Sequence, residues 1–324
     1  MSIRTASDAV QAALEAARWA PSVHNTQPWS FAVSGDEIGL RADTERRLRV
    51  GDPAGRELLI SCGAALFNLR TAIRRAGFEP VVRVLPDPDR PSLLALVRPG
   101  AEVEPDEHTR VLAGEFERRR THRSGFTTLP VPDRLVQALA RTAGEEGAAL
   151  LVLAPPAAEA VAALTRAAQI VQSEDRPRHL EVVRWARPPG SARKDGVPAG
   201  AYPHDEPRTD PAFAQRDYAW RHDWGNPADQ AGSTSPGVVT VLTTADDTRQ
   251  DWLNAGQALQ HVLLKASAYG VSAAFHTQAL EMDHLRAFLR EELCAGARPQ
   301  MIMRLGITFD DAEAVRRPVG DLLE

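Results

Sequence analysis

Two short stretches carry the residue types that chemistry needs. The first is Ala20-Pro21-Ser22-Val23-His24-Asn25-Thr26-Gln27-Pro28-Trp29, a loop rich in hydroxyl, amide and backbone donors. Two prolines restrict its backbone, so Asn25 and Gln27 are held ready for a polar heterocycle. The second is Arg118-Arg119-Arg120-Thr121-His122-Arg123, four guanidiniums within six residues. Guanidinium binds phosphate bidentately and stays charged at every relevant pH, and Thr121 adds a hydroxyl. Arg316-Arg317-Pro318 and the loop Gly232-Ser233-Thr234-Ser235-Pro236-Gly237 are weaker signals. The latter can form a backbone anion nest. Each stretch also has a plainer reading. The amides can satisfy their own loop, the arginines can be a solvated helix end, and Arg316-Arg317 can be a charged surface turn.

Other chemistries are excluded by what the chain lacks. No GxGxxG follows a strand and no Walker lysine is present, so Rossmann and P-loop sites fail. There is no GxSxG elbow and no HExxH or other close ligand pair among nine histidines, which argues against a metal site. Cys62 and Cys294 stand far apart, which fits a reducing compartment. The net charge of −5 argues against nucleic acid or an anionic membrane as a general partner. No apolar run reaches about 18 residues. A soluble, cytoplasmic protein follows as the expectation.

The elements that must position these residues are legible from periodicity. An amphipathic helix over 5–19 stops at Pro21, and two short strands follow at 29–33 and 38–41. A long helix runs over 56–77 with Leu58, Leu59, Cys62, Leu66, Leu69 and Ile73 at helical spacing, ended by Gly77. Strands at 81–85 and 93–97 complete a first half of residues 1–105. The second half, 106–324, has a helix from about 107 that ends in the arginine run. Helices at 133–143 and 156–173 flank a strand at 149–153. Strands at 238–243, 271–275 and 299–307 and helices at 247–269 and 281–293 complete it. From Trp185 to Pro236 the pattern dissolves into eight prolines and five glycines. An excursion of that length, about 186–232, reads as a lid. The helices containing ISCGAALFNLRTAIRRAGF (60–78) and NAGQALQHVLLKASAYGV (254–271) resemble each other, an internal repetition. The fold class is α+β.

Taken together the motifs resemble those of the FMN-dependent nitroreductases. AARWAPSVHNTQPWSF at 16–31 is similar to the family's flavin loop, and RRRTHRSGF at 118–126 to its arginine signature. Their order is inverted relative to ordinary members. With GRELLISCGAALFNL at 55–69, DWLNAGQALQHVLL at 251–264 and the Arg316-Arg317-Pro318 turn, this resembles the Acg-type branch.

The resemblance implies an FMN-dependent nitroreductase-like fold of two fused halves, an intramolecular pseudo-dimer. Ordinary members are homodimers in which one subunit supplies arginines and the other the PSxxN loop. Here each half keeps a different contribution, which implies one FMN per chain in a monomer. The implied cofactor residues are Pro21, Ser22, Asn25 and Gln27; Arg119, Arg120, Thr121 and Arg123; Ser233, Thr234 and Ser235; His276 and Thr277 at the edge of the reactive N5; and Arg316 and Arg317 at the phosphate. His276 itself reads as a packing residue. The implied reaction is NAD(P)H-dependent, passing hydride to a nitroaromatic, quinone or enone without a side-chain nucleophile. The rival is a lidded protein that sequesters FMN with little turnover. Trp185, Tyr202, Phe213, Tyr218, Trp220 and Trp224 either shield the flavin or, more plainly, pin the lid to the core.

Overall fold

The computed structural model describes residues 5–205, 209–219, 222–226, 234–309 and 314–324. Helix α1 (Ala6–Ala17) starts at Thr5, whose Oγ1 accepts the N–H of Asp8 at 3.1 Å. It buries Val10, Ala13, Leu14 and Ala17 on one face. Strands β1 (Trp29–Ser34) and β2 (Glu37–Ala42) form a hairpin. Helix α2 (Arg56–Arg75) is buried along almost its whole length, and β3 (Phe78–Val84) and β4 (Leu93–Glu102) follow. These strands make an antiparallel sheet in the order β1-β2-β4-β3.

Helices α3 (Glu107–Gly114) and α4 (Asp133–Glu145) lead to β5 (Ala149–Val152), then α5 (Pro155–Glu174) and α6 (Arg176–Arg184). The short strands β6 (Ala186–Arg187) and β7 (Val197–Pro198) pair in parallel. The chain returns through β8 (Val238–Thr244), α7 (Arg249–Ala268), β9 (Ser272–Phe275), α8 (Asp283–Glu292) and β10 (Arg298–Gly306). The second sheet, also antiparallel, has the order β5-β8-β10-β9. Both sheets therefore run first, second, fourth, third, with a long helix between their second and third strands.

Those two helices, α2 and α7, cross at glycine on glycine. A Cβ on Gly256 would lie 2.0 Å from the Ile60 carbonyl oxygen, and one on Gly63 would lie 2.2 Å from that of Leu253. The small residues noted in both helices thus let two backbones touch. A buried polar bridge fixes the crossing: Gln260 Nε2 donates to Asn68 Oδ1 at 2.8 Å, and Asn68 Nδ2 donates to the Ala16 carbonyl at 2.8 Å. The second sheet is covered on both faces. Met301, Met303 and Leu305 of β10 pack in the cluster of α4 and α7, while Ile302 packs with α5, α8 and Phe213, the period-2 alternation of a strand.

Most helices and strands expected from periodicity form within a few residues of the expected bounds, but α3 ends at Gly114, so the arginine run 118–123 follows it as irregular chain and is not a helix end. Helix α6 was not anticipated. Asp175 caps it and a proline sits in its first turn, which is standard helix-start chemistry. Nor is the stretch after Trp185 without structure, because it contains β6, β7 and a 3-10 turn at Ala199–Ala201. Among the described residues, no helix is long and apolar enough to cross a membrane.

Candidate functional site

The loop after α1 is held in an uncommon conformation. His24, Asn25 and Gln27 all have positive φ (46°, 55° and 50°), at a cost of about 1 kcal/mol or more each. Tertiary bonds hold it there. The Gln27 N–H donates to Ser22 Oγ at 2.9 Å, and the Val23 N–H to Ser61 Oγ of α2 at 3.2 Å. The turn then exposes its amides to two crossing segments. Asn25 Nδ2 donates to the Gly196 carbonyl at 2.9 Å and the Val315 carbonyl at 3.1 Å, while the Gly196 N–H donates to the Asn25 carbonyl at 3.0 Å. Gln27 Nε2 donates to the Lys194 carbonyl at 2.9 Å, and its Oε1 accepts the Arg317 N–H at 2.8 Å. Asn25 and Gln27 thus bond residues 194–196 and 315–317, and Asn25 also lines a cavity.

Residues within 195–218 reach Arg46 and the loop after α1. Arg46 pairs with Asp195 at 2.8 Å, His24 Nδ1 lies 3.0 Å from the Tyr218 hydroxyl, and Arg123 Nη1 donates to the Ala201 carbonyl at 3.2 Å. Of the lid aromatics, Tyr218 borders the cavity beneath. Trp185 lies beside the guanidiniums of Arg46 and Arg193, Tyr202 against Tyr218, Phe213 against His276, and Trp224 on His222. They pin the lid. Trp220 lies outside the described residues.

The arginines gather around Trp19. Its carbonyl accepts from Arg119 Nη2 at 3.1 Å and Arg316 Nη2 at 3.4 Å. The guanidiniums of Arg18, Arg120 and Arg316 stand 5.2, 5.6 and 5.8 Å from its ring, within cation–π range. Arg316 Nη1 also donates to Asn25 Oδ1 at 3.0 Å. Burial, then Arg120 and Arg123, push the Arg119 guanidinium down to about 9. Burial, then Arg119, Arg120 and Arg123, hold Arg316 well below the ordinary arginine range. Nε and Nη1 of Arg119 and Nε of Arg316 are buried without a hydrogen-bond partner among the described residues. Crowded, under-bonded buried cations are the mark of a site that takes an anion.

Two adjoining cavities share Pro21, Ser22, Thr121 and Arg123. One has an apolar floor of Ile60, Leu259, Phe275 and Met301, with Ser61, Thr277 and the lid residues Gln215, Arg216 and Tyr218 around it. The other is lined by Asn25, Arg120 and Arg316. Residues of both halves build both chambers. Of the motif residues, these cavities unite Pro21, Ser22, Asn25, Arg120, Thr121, Arg123, Thr277 and Arg316, with buried Arg119 alongside.

The remaining ones are not brought in. Gln27 is wholly buried and bonded to the Lys194 carbonyl. Arg317 is held to Asp321. Ser235 bridges Phe126 and accepts the Gly237 N–H at 3.1 Å. Thr234 and Ser235 line neither chamber, and Ser233 lies outside the described residues. His276 is fully buried. Its Nε2 accepts from Arg304 Nε at 2.8 Å and its Nδ1 donates to the Ala214 carbonyl at 3.2 Å. Burial and Arg304 keep it neutral, so it is a packing residue.

Residues that sequence reasoning missed include Glu57, Ser61 and Arg216 at the ring chamber, and Arg304. Arg304 is buried between Phe126 and Phe213, each 5.2 Å from its guanidinium. Arg304 also donates to the Ser124 carbonyl at 3.0 Å. The lone signal was a charge inside an apolar strand, MIMRLG at 301–306.

No family model matches the chain. Among curated proteins, "Putative NAD(P)H nitroreductase Rv3131" of Mycobacterium tuberculosis is 33% identical over 304 residues, 92% of this chain and 85% of that protein. "Putative NAD(P)H nitroreductase acg" of the same organism is 28% identical over 326 residues, 97% of this chain and 95% of that protein. Solved structures give a distant likeness. The FMN-dependent nitroreductase NfnB of Mycobacterium smegmatis in complex with NADPH has 15% identity and a TM-score of 0.38, covering 65% of this chain and 96% of that one. A BluB-like flavoprotein of Clostridium difficile 630 has 13% identity and a TM-score of 0.41, with the same coverage. With 33% identity extending over 92% of its length, this chain belongs to the nitroreductase family, in its Acg-type branch.

Proposed function

We propose that the chain is a soluble, cytoplasmic flavoprotein that binds one FMN between its two halves and acts as an NAD(P)H-dependent oxidoreductase of nitroreductase type. One observation carries this reading. An apolar-floored chamber shares Pro21, Ser22, Thr121 and Arg123 with a guanidinium-lined one, and buried nitrogens of Arg119 and Arg316 lack partners among the described residues. Arg119, Arg120, Arg123 and Arg316, with the Thr121 hydroxyl, hold the phosphate. Pro21, Ser22, Ser61 and Thr277 border the ring. The repeated strand order and the glycine crossing support a monomer that imitates a dimer, its halves meeting near residue 105.

The chemistry FMN supplies when bound is hydride transfer between a nicotinamide donor and a nitroaromatic, quinone or enone acceptor. The chain's own residues bind and orient. The arginine cluster fixes the phosphate end, so the ring's position follows from Pro21 and the apolar floor. Arg123 and Arg216 place positive charge beside the ring chamber, which favours electron density arriving there. Tyr218 and Arg216 shut water out while the lid is closed.

The bonds to the lid support a second reading, in which the lid shields FMN and turnover is low. Asn25, Gln27, His24 and Arg123 all bond the lid, so opening must break several buried hydrogen bonds at about 1 kcal/mol each. Anaerobic mixing of the yellow protein with NADH and NADPH separates the two. Rapid bleaching supports the oxidoreductase. A flavin that yields to dithionite alone supports sequestration, and a colourless protein that takes up no FMN sinks both.

A further inference from the structure

At one end of the ring chamber three carboxylates meet three guanidiniums. Asp52 precedes α2, Glu57 lies in its first turn, and Glu281 ends the 3-10 turn Gln278–Glu281. Arg56, Arg178 and Arg216 face them, and their pairing is unequal. Glu281 takes Arg178 at 3.1 Å and also Arg216. Asp52 accepts the Leu58 N–H at 2.9 Å. Arg56 spends Nη1 on the Gln300 carbonyl at 2.7 Å and offers Nη2 to Glu57 Oε1 at 3.1 Å. Glu57 Oε2 has no hydrogen-bond partner among the described residues. The side chain is 5% exposed and forms part of the chamber wall.

A carboxylate set in the wall of this chamber close to those of Glu281 and Asp52 is costly to keep charged. Holding a proton removes the charge and turns the unpaired oxygen into a donor. We propose that Glu57 is carried as a carboxylic acid and donates a hydrogen bond into the chamber, to an acceptor atom on the polar edge of the ring bound there. The ring's identity rests on the flavin reading; the proton's location does not.

The charges around Glu57 agree. Burial first, then the Glu281 carboxylate, push it up to about 8 against the pull of Arg56, with Asp52 adding to the rise and Arg216 opposing it. His24, also on the chamber wall, is kept neutral by burial and by Arg216 and Arg123. Glu57 therefore keeps its proton well above the ordinary carboxylate range and loses it only as pH rises further. Ligand affinity should be level while the proton is held and fall as it is lost.

The test titrates apoprotein with riboflavin, which lacks the phosphate, following flavin fluorescence from below to above pH 8. Wild type is compared with Glu57→Gln, and infrared spectra of both apoproteins report the stretch of a protonated carboxyl. The expected result is a wild-type affinity that falls about tenfold per pH unit once Glu57 ionises, with a flat profile in Glu57→Gln. The carboxyl band should fade over the same range and be missing in the variant. A flat wild-type profile, or an equal fall in the variant, overturns the donation. Absence of the band overturns the proton. If neither protein takes up riboflavin or FMN at neutral pH, the flavin reading has failed, and the band alone decides the state of Glu57. Should Glu57→Gln not fold, wild type and Asp52→Asn decide: the variant must keep the band and the falling profile, both moved to lower pH because Asp52 adds to the rise of Glu57; loss of either overturns the proposal.

Discussion

Replacing Arg119 by methionine should stabilise the apoprotein and weaken FMN binding, two effects of opposite benefit from one change. In the folded chain Arg119 is 3% exposed, and its guanidinium is pushed far below the ordinary arginine range, down to about 9. At 1.36 kcal/mol per pH unit, that places an upper limit of roughly 5 kcal/mol on what its charge costs the fold. The sign follows from linkage. Below about 9 the group is protonated folded and unfolded alike, so the whole penalty is present at neutral pH, and it lifts only as pH rises further. Methionine keeps much of the volume and removes the charge. It gives up the bond to the Trp19 carbonyl, worth about 1 kcal/mol, and that oxygen retains Arg316 at 3.4 Å. The net gain of a few kcal/mol should raise Tm by several degrees, at about 2–4 °C per kcal/mol for domains of this class. FMN binding should weaken at least about tenfold, since a hydrogen bond to a charged group contributes about 1.5–3 kcal/mol. Thermal melts with and without FMN, and with inorganic phosphate alone, read both effects. An apoprotein that melts lower while binding FMN as tightly as wild type would make Arg119 a structural cation and refute the phosphate assignment.

Gly256→Ala should destabilise the chain by about 1–3 kcal/mol or more in urea unfolding, because its Cβ would meet the Ile60 carbonyl at 2.0 Å; an unchanged midpoint would show that the helices can part freely. Asn25→Ala removes the donors to Gly196 and Val315, so limited proteolysis within the lid should quicken severalfold, at about 1 kcal/mol per lost bond, while cleavage elsewhere stays as it was. Burial would raise the Asp247 carboxyl, but Arg286 at 2.7 and 2.8 Å, Trp252 and Gln300 overcome this and hold it below the usual carboxylate range. A carboxylate so lowered stabilises the fold above its ordinary pKa and loses that contribution as pH falls. Asp247→Asn should therefore flatten the acid limb of the stability profile, and an identical acid limb in the variant would count against the pairing.

The fold was readable where one face of an element repeats. Leu58, Leu59, Leu66 and Ile73 announce α2, and the apolar run within 299–307 announces β10. The close contact of α2 and α7 was visible as small residues, though the partner of each glycine was not, since pairing across 193 positions leaves no local mark. Local motifs likewise named the loop and the arginine run, and the structure brings Pro21, Ser22 and Thr121 together. They could not say how the amides are spent. Asn25 and Gln27 read as ligand groups because their partners, the Gly196 and Lys194 carbonyls, are backbone atoms and carry no sequence signature. Glu57 escaped notice for a related reason. A glutamate in the first turn of a helix is ordinary, and only burial beside Glu281 makes it unusual.

The most direct measurement of the central claim is flavin stoichiometry together with phosphate discrimination in one titration of the full chain. The account predicts one FMN per chain, bound at least about a hundredfold more tightly than riboflavin, from two or more charge-assisted phosphate bonds of about 1.5–3 kcal/mol each. Two FMN per chain, or riboflavin bound as tightly as FMN, would contradict a single site divided between a ring chamber and an arginine chamber.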